Sequence, residues 1–214
     1  MAIDSTKAVG MRRQPMQARS QERVNQILNV AEQMFIADGY SATTTNAIAT
    51  QAKVSIGSLY QFFPDKGAIV QALAERYGEQ LHQRLIELDR TDLITLPLSS
   101  YVNRIVDVTN QFFADYPGYY AIFMQVQGTI PELTEIENAA DVRFIEDLAI
   151  VLAQYNSELA ASDYEAISFV LVKSIGTMLW LSLGQENSFR QRLVAETKRF
   201  ALNYLSSYFP PDRM

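Results

Sequence analysis

Apolar residues recur at helical spacing along almost the whole of this chain, and that period restricts its fold more than any other feature. Val24, Ile27, Leu28, Ala31 and Phe35 fall at i, i+3, i+4, i+7 and i+11, a single stripe on a 3.6-residue helix. Ser20 is placed to cap this helix and Gly39 to end it, so it is predicted over about 20–38. A second long stripe, Val70, Leu73, Tyr77, Leu81 and Leu88, follows Pro64–Asp65, with Asp65 as N-cap. Further helices are predicted at about 97–115, 117–127, 132–156, 162–184 and 188–208, punctuated by Pro97, Pro117, Gly128–Pro131, Asn156–Ser157 and Gly184–Asn187. Pro210–Pro211 is the final stop. No strand-length alternation, internal repeat or low-complexity tract interrupts the pattern. The expected fold is all-α, with about nine helices.

Several chemistries are excluded by composition. With no cysteine among 214 residues, disulfides, thiolate zinc sites and cysteine nucleophiles are ruled out. A lone histidine, His82, leaves no histidine metal cluster and reads as a half-buried polar residue. Carboxylate pairs such as Glu135/Glu137 and Glu146/Asp147 read as solvated faces. There is no G-x-S-x-G elbow, no Walker lysine loop and no H-E-x-x-H, so no catalytic residue, metal site or cofactor is expected. The segment 1–16 carries no apolar core of the kind a signal peptide needs. Residues 166–185 are long enough to span a bilayer, but Lys173 near their centre would cost about 2.5–3.5 kcal/mol there. A buried helix in a cytoplasmic protein with no membrane partner is the expectation.

Charge is unevenly spread. The net charge is −6, yet residues 1–80 hold 8 Lys and Arg against 7 Asp and Glu. Lys7, Arg12, Arg13, Arg19 and Arg23 all fall in the first 24 residues, against Asp4 and Glu22. A weakly basic head on an acidic body suits a polyanion contact confined to one end.

Between the first two long stripes lie two very short helical segments, TTTNAIATQA and VSIGSLYQFF. Thr44 or Thr45 can cap the first, and Ser55 the second. Ile48, Ala52, Val54, Leu59 and Phe62 are spaced to meet at a steep crossing, with small Ala49 where the second helix passes over. Burying Val54, Leu59 and Phe62 leaves Ile56, Gly57, Ser58, Tyr60 and Gln61 outside. That pattern is a helix-turn-helix with a compact outer face for the major groove. A glycine inside so short a helix costs about 1 kcal/mol relative to alanine, which stability alone does not justify.

The arm and entry RRQPMQARSQERVNQIL and the core TTTNAIATQAKVSIGSLYQFFPDK resemble the tetracycline-repressor (TetR) family of bacterial transcription regulators. The resemblance is dense over roughly residues 12–70, and elsewhere extends to helix number, size and position. It implies that Thr44 or Thr45 presents a hydroxyl and helix amides to phosphate. It implies that Ile56, Ser58 and Gln61 meet base edges, Ile56 on a thymine methyl and Gln61 on adenine. Gly57 would admit close backbone approach, while Tyr60, Lys66, Arg12, Arg13 and Arg19 would bind phosphates. Two positions depart from the pattern. Lys53 stands where the turn usually has glycine, and Ile56 where lysine is common. The implied organisation is a basic arm at 1–19, a helix-turn-helix domain at 20–66, a ligand-binding and dimerisation domain at 67–209, and a tail at 210–214.

In the body, residues 112–123 hold six aromatics: Phe112, Phe113, Tyr116, Tyr119, Tyr120 and Phe123. Plain core packing explains such a cluster. The functional alternative is that Phe112, Tyr116, Tyr120, Phe123, Met124, Met178 and Trp180 border a cavity for an apolar or aromatic effector. Phe189, Leu193, Phe200, Tyr204 and Tyr208 share one face of the last helix, and the helix before it is apolar nearly all round. Together these suggest a homodimer through a four-helix bundle, as in the family. The expected protein is a homodimeric repressor of a palindromic operator in double-stranded DNA, released by a small molecule. The alternative is a helix-turn-helix regulator controlled by a protein partner or without a ligand.

Overall fold

The computed structural model describes residues 18–89, 96–126, 128–156 and 158–209. These form nine α-helices and no strand: α1 (Ala18–Asp38), α2 (Thr45–Gln51), α3 (Ile56–Phe62), α4 (Lys66–Asp89), α5 (Leu98–Asp115), α6 (Pro117–Val126), α7 (Glu132–Tyr155), α8 (Ala161–Ser182) and α9 (Asn187–Leu205). Helix ends follow local chemistry. Thr44 Oγ1 accepts the Ala47 N–H, Ser55 Oγ accepts that of Ser58, and Asp65 Oδ1 accepts that of Ala68. Gly39 closes α1 with φ +86°. Ser20 is not a cap: α1 already includes Ala18, so Ser20 lies inside its first turn.

The chain divides into two compact units. One comprises the described residues up to Gly78 together with Pro117–Glu137; the other comprises Glu79–Tyr116 and the described residues from Asn138 onward. The division falls within α4, between Gly78 and Glu79, and α6 packs on α1 in the first unit.

In the first unit the stripe Val24, Ile27, Leu28, Ala31 and Phe35 is fully buried, joined by Ile48, Leu59, Phe63, Ile69 and Leu73. Burial of this many aliphatic and aromatic side chains, each contributing about 1.5–3 kcal/mol, fixes α2 and α3 against α1 and the start of α4. The N-terminal turn of α6 meets α1 and α4 closely. A Cβ on Gly118 would stand 2.8 Å from Tyr77 Oη and 2.9 Å from Ile36 Cδ1. Glu32 on α1 accepts hydrogen bonds from both Arg76 and Tyr77, and burial with that carboxylate raises the Tyr77 pKa. At the other end of α6, Gln125 Oε1 accepts the Tyr40 N–H at 2.8 Å, just past the α1 C-terminus.

The second unit is built on α5, α8, α9, most of α7 and the end of α4, around Leu98, Val106, Phe112, Leu152, Leu171, Leu179 and Leu205. Helix α8 is long and apolar enough to cross a membrane by length and composition, the one such helix among the described residues. It packs against α9 and α5, and Lys173 at its centre pairs with Asp141 at 2.5 Å and bonds Asn138 at 3.1 Å. His82 is buried. Its Nδ1 accepts from Arg143 at 2.6 Å, since a guanidinium can only donate, so Nε2–H donates to Asp147 at 2.7 Å.

Candidate nucleic-acid interface

The outer face of α3 is what the α2–α3 crossing leaves uncovered. Leu59 and Phe62 turn inward, while Ile56, Gly57, Tyr60 and Gln61 are exposed and Ser58 is half-buried. Val54, expected in the core, is only half-buried. The turn between the helices is held by Val54 N–H on Ala49 O (3.0 Å) and Lys53 N–H on Thr50 O (3.1 Å). Lys53 adopts φ +54°, the left-handed conformation its place in the turn demands. Nothing lies within 4 Å of where a Gly57 Cβ would stand, and its φ is ordinary. No packing among the described residues therefore requires glycine there. Its effect is to leave the middle of the exposed face low.

Around this face the polar side chains are tied to one another. Tyr60 Oη and Thr45 Oγ1 share a hydrogen bond of 3.1 Å across α2 and α3. Arg23 on α1 reaches over to donate to Ser58 Oγ at 3.4 Å. Arg19, Arg23 and Lys53 are exposed, and none has a carboxylate partner among the described residues. The structure thus brings together Thr44, Thr45, Ser55, Ile56, Gly57, Ser58, Tyr60 and Gln61. Arg12 and Arg13 lie outside the described residues.

Lys66 is directed at its own chain. Its ammonium donates to the backbone carbonyls of Tyr40 (2.5 Å) and Thr43 (2.8 Å), with Ser41 O at 3.5 Å, and sits 4.1 Å from the centre of the Tyr40 ring. All three of its donors face the loop between α1 and α2, and burial lowers its pKa. Lys66 is a brace for that loop. Sequence reasoning counted Arg23 in the basic head but did not place it at the α3 face, where it meets Ser58. The signal was the i, i+4 spacing of Arg19 and Arg23, which puts both on the same side of α1, Arg23 flanking the apolar stripe.

The chain from 97 to 205 matches the family model of the tetracyclin repressor-like C-terminal domain, and residues 27–73 match that of bacterial regulatory proteins of the tetR family. The chain belongs to the TetR family. Among curated proteins it is 23% identical over 194 residues to the HTH-type transcriptional regulator QacR of Staphylococcus aureus, covering 85% of this chain and 97% of that one. It is 31% identical over 96 residues to the regulator TtgR of Pseudomonas putida, covering 45% of each. Among solved structures, a TetR-family regulator from Streptomyces coelicolor aligns with a TM-score of 0.62 at 24% identity, covering 86% of this chain and 98% of that one. One from Pectobacterium atrosepticum aligns at 0.69 with 16% identity, covering 92% and 98%. At these identities the structural likeness speaks for the fold. As a TetR-family member the protein is a helix-turn-helix transcriptional regulator, a DNA-binding factor and not an enzyme.

In the TetR-type body, Phe112 is buried and its ring lies 4.9 Å from Tyr116 and 5.7 Å from Phe113; Phe113 in turn lies 6.4 Å from Trp180. Arg84 stands 5.2 Å from the Tyr116 ring centre and pairs with Asp115 at 2.6 Å. Met178 is half-buried. Tyr120, Phe123 and Met124 belong to the other unit, where Phe123 packs on Tyr119 and Tyr77. Met124 is 45% exposed, a surface position on α6. On α9, Phe189 and Phe200 are exposed, Leu193 and Tyr204 half-buried, and the rings of Phe200 and Tyr204 are parallel within 6°.

Proposed function

We propose that this TetR-family regulator acts in the cytoplasm as a homodimeric repressor, reading a palindromic operator with α3 and leaving it when a small apolar or aromatic molecule binds the body. The observation that carries the DNA-reading half is the outer face of α3, where an apolar side chain, a bare glycine and an amide stand exposed side by side. Ile56 suits a thymine methyl, and Gln61 can bond adenine through both its polar atoms. The hydroxyls of Tyr60, Thr45 and Thr44, together with Arg19 and Lys53, serve the phosphates on either side. The arm residues Arg12 and Arg13 extend that footprint. Exposed Phe189 and Phe200, flanked by Leu193 and Tyr204, support a two-fold pairing of α8 and α9. Phe112, Tyr116, Met178 and Trp180 remain the effector candidates in the second unit, and Tyr120 and Phe123 in the first. Arg84, the cation beside Tyr116, is already paired with Asp115, which fits an uncharged ligand.

Release follows from differential affinity. An effector that binds better when the two α3 helices are wrongly spaced weakens DNA binding by the ratio of its affinities for the two states. The test is binding to a selected operator with and without ligands found by thermal-shift screening. A ligand that raises stability by mass action should also lower operator affinity. Ligands that stabilise the protein without touching operator affinity would favour control by a protein partner instead.

A further inference from the structure

Arg23 projects from α1, one turn beyond Arg19, and its Nη1 donates to the hydroxyl oxygen of Ser58 on α3. A guanidinium has no acceptor, so the Ser58 oxygen necessarily accepts in this bond. The Ser58 backbone is fixed independently by its N–H on Ser55 Oγ at 3.1 Å. Arg23 itself has no carboxylate partner among the described residues. Arg84, Arg143, Lys173 and Lys198 in the second unit each have one. Its charge is therefore not neutralised within the described part of the chain, and the side chain it bonds, Ser58, stands at the reading face.

We propose that Arg23 is a specificity-determining residue that acts through Ser58. This rests on the reading of α3 as the helix that meets base edges. A serine hydroxyl alone can donate or accept. With one lone pair bound to a cation, its hydrogen turns away from the guanidinium and the oxygen becomes the poorer acceptor. Ser58 then meets the groove as a donor. The matching groups are acceptors, namely purine N7, guanine O6 or thymine O4, while the amino group of cytosine is disfavoured. Arg23 thus sets which bases Ser58 accepts, without touching a base itself.

The experiment measures affinity for every single-base variant of the selected half-site, using wild type, Ser58→Ala, Arg23→Ala and the double variant. Arg23 is exposed, so thermal melts should coincide and confirm that each variant folds. Ser58→Ala should relax preference at one base pair by about tenfold or less, the range of one hydrogen bond. Arg23→Ala should relax preference at that same base pair, and the double variant should relax it no further than Ser58→Ala alone. If Arg23→Ala weakens all sequences equally and only lowers the salt slope by about one, Arg23 is a phosphate contact and the proposal fails while the reading of α3 stands. If Ser58→Ala changes preference at no position, the assignment of Ser58 to base readout fails together with the proposal.

Discussion

Two lysines in the head look alike in sequence and do opposite things. Lys53 holds φ +54° in the α2–α3 turn, where a side chain costs on the order of 1 kcal/mol. Lys53→Gly should therefore raise the midpoint of urea denaturation slightly, gaining no more than about 0.5 kcal/mol once the entropy of the freer unfolded chain is counted. If the lysine serves a phosphate, the same variant should lose about one unit of salt slope in operator binding. Lys66 is instead surrounded by the carbonyls of Tyr40, Ser41 and Thr43. Lys66→Met should cost about 1–3 kcal/mol of stability, because the carbonyls of buried Thr43 and half-buried Tyr40 lose a charged donor, and leave the salt slope unchanged. A stable Lys66→Met protein with a reduced slope would restore the phosphate role. The difference was not legible beforehand, since a basic residue at a helix start looks the same whether it faces DNA or a loop. What decides is where residues 40–43 run, and that depends on packing between segments distant in sequence.

At the scale of elements, the α2–α3 crossing was the most legible part of the chain. Ile48, Ala49, Leu59 and Phe62 fall at spacings that only a steep helix pair satisfies, and all four are buried. Thr44, Ser55 and Asp65 cap the helices they precede because capping is local chemistry. The seating of α6 was illegible for the opposite reason. Gly118 and Gln125 act through partners 41 to 85 residues away, Tyr77 and the Tyr40 N–H among them. Gly118→Ala should displace Tyr77 Oη or Ile36 and cost about 1–3 kcal/mol by overpacking, read as a lower denaturation midpoint. Gln125→Ala leaves the Tyr40 N–H to water and should loosen the end of α1. Hydrogen exchange at Tyr40 should then quicken while exchange in α9 stays as in wild type. Equal protection at Tyr40 in both proteins would mean that α6 does not hold this turn.

For the whole molecule, the TetR-type reading demands two copies of α3 related by two-fold symmetry. The aromatic face of α9 is the place to break that symmetry without touching DNA. Phe200→Glu, at an exposed position, should leave the helical content and the melt of the single chain intact, yet run as a monomer in sizing experiments and bind operator far more weakly. A dimer that survived this change and a matching Phe189→Glu would move the interface elsewhere. The most direct measurement is selection of bound sequences from a random pool of double-stranded DNA, carried out with wild type and with Gln61→Ala. Wild type should enrich an inverted repeat whose half-site centres lie one helical turn, about 34 Å, or a multiple of it apart. Gln61→Ala should enrich the same repeat with preference relaxed at one base pair in each half, by roughly 1–3 kcal/mol. Enriched sequences without two-fold symmetry, or a Gln61→Ala protein that loses affinity equally for every sequence, would contradict the account.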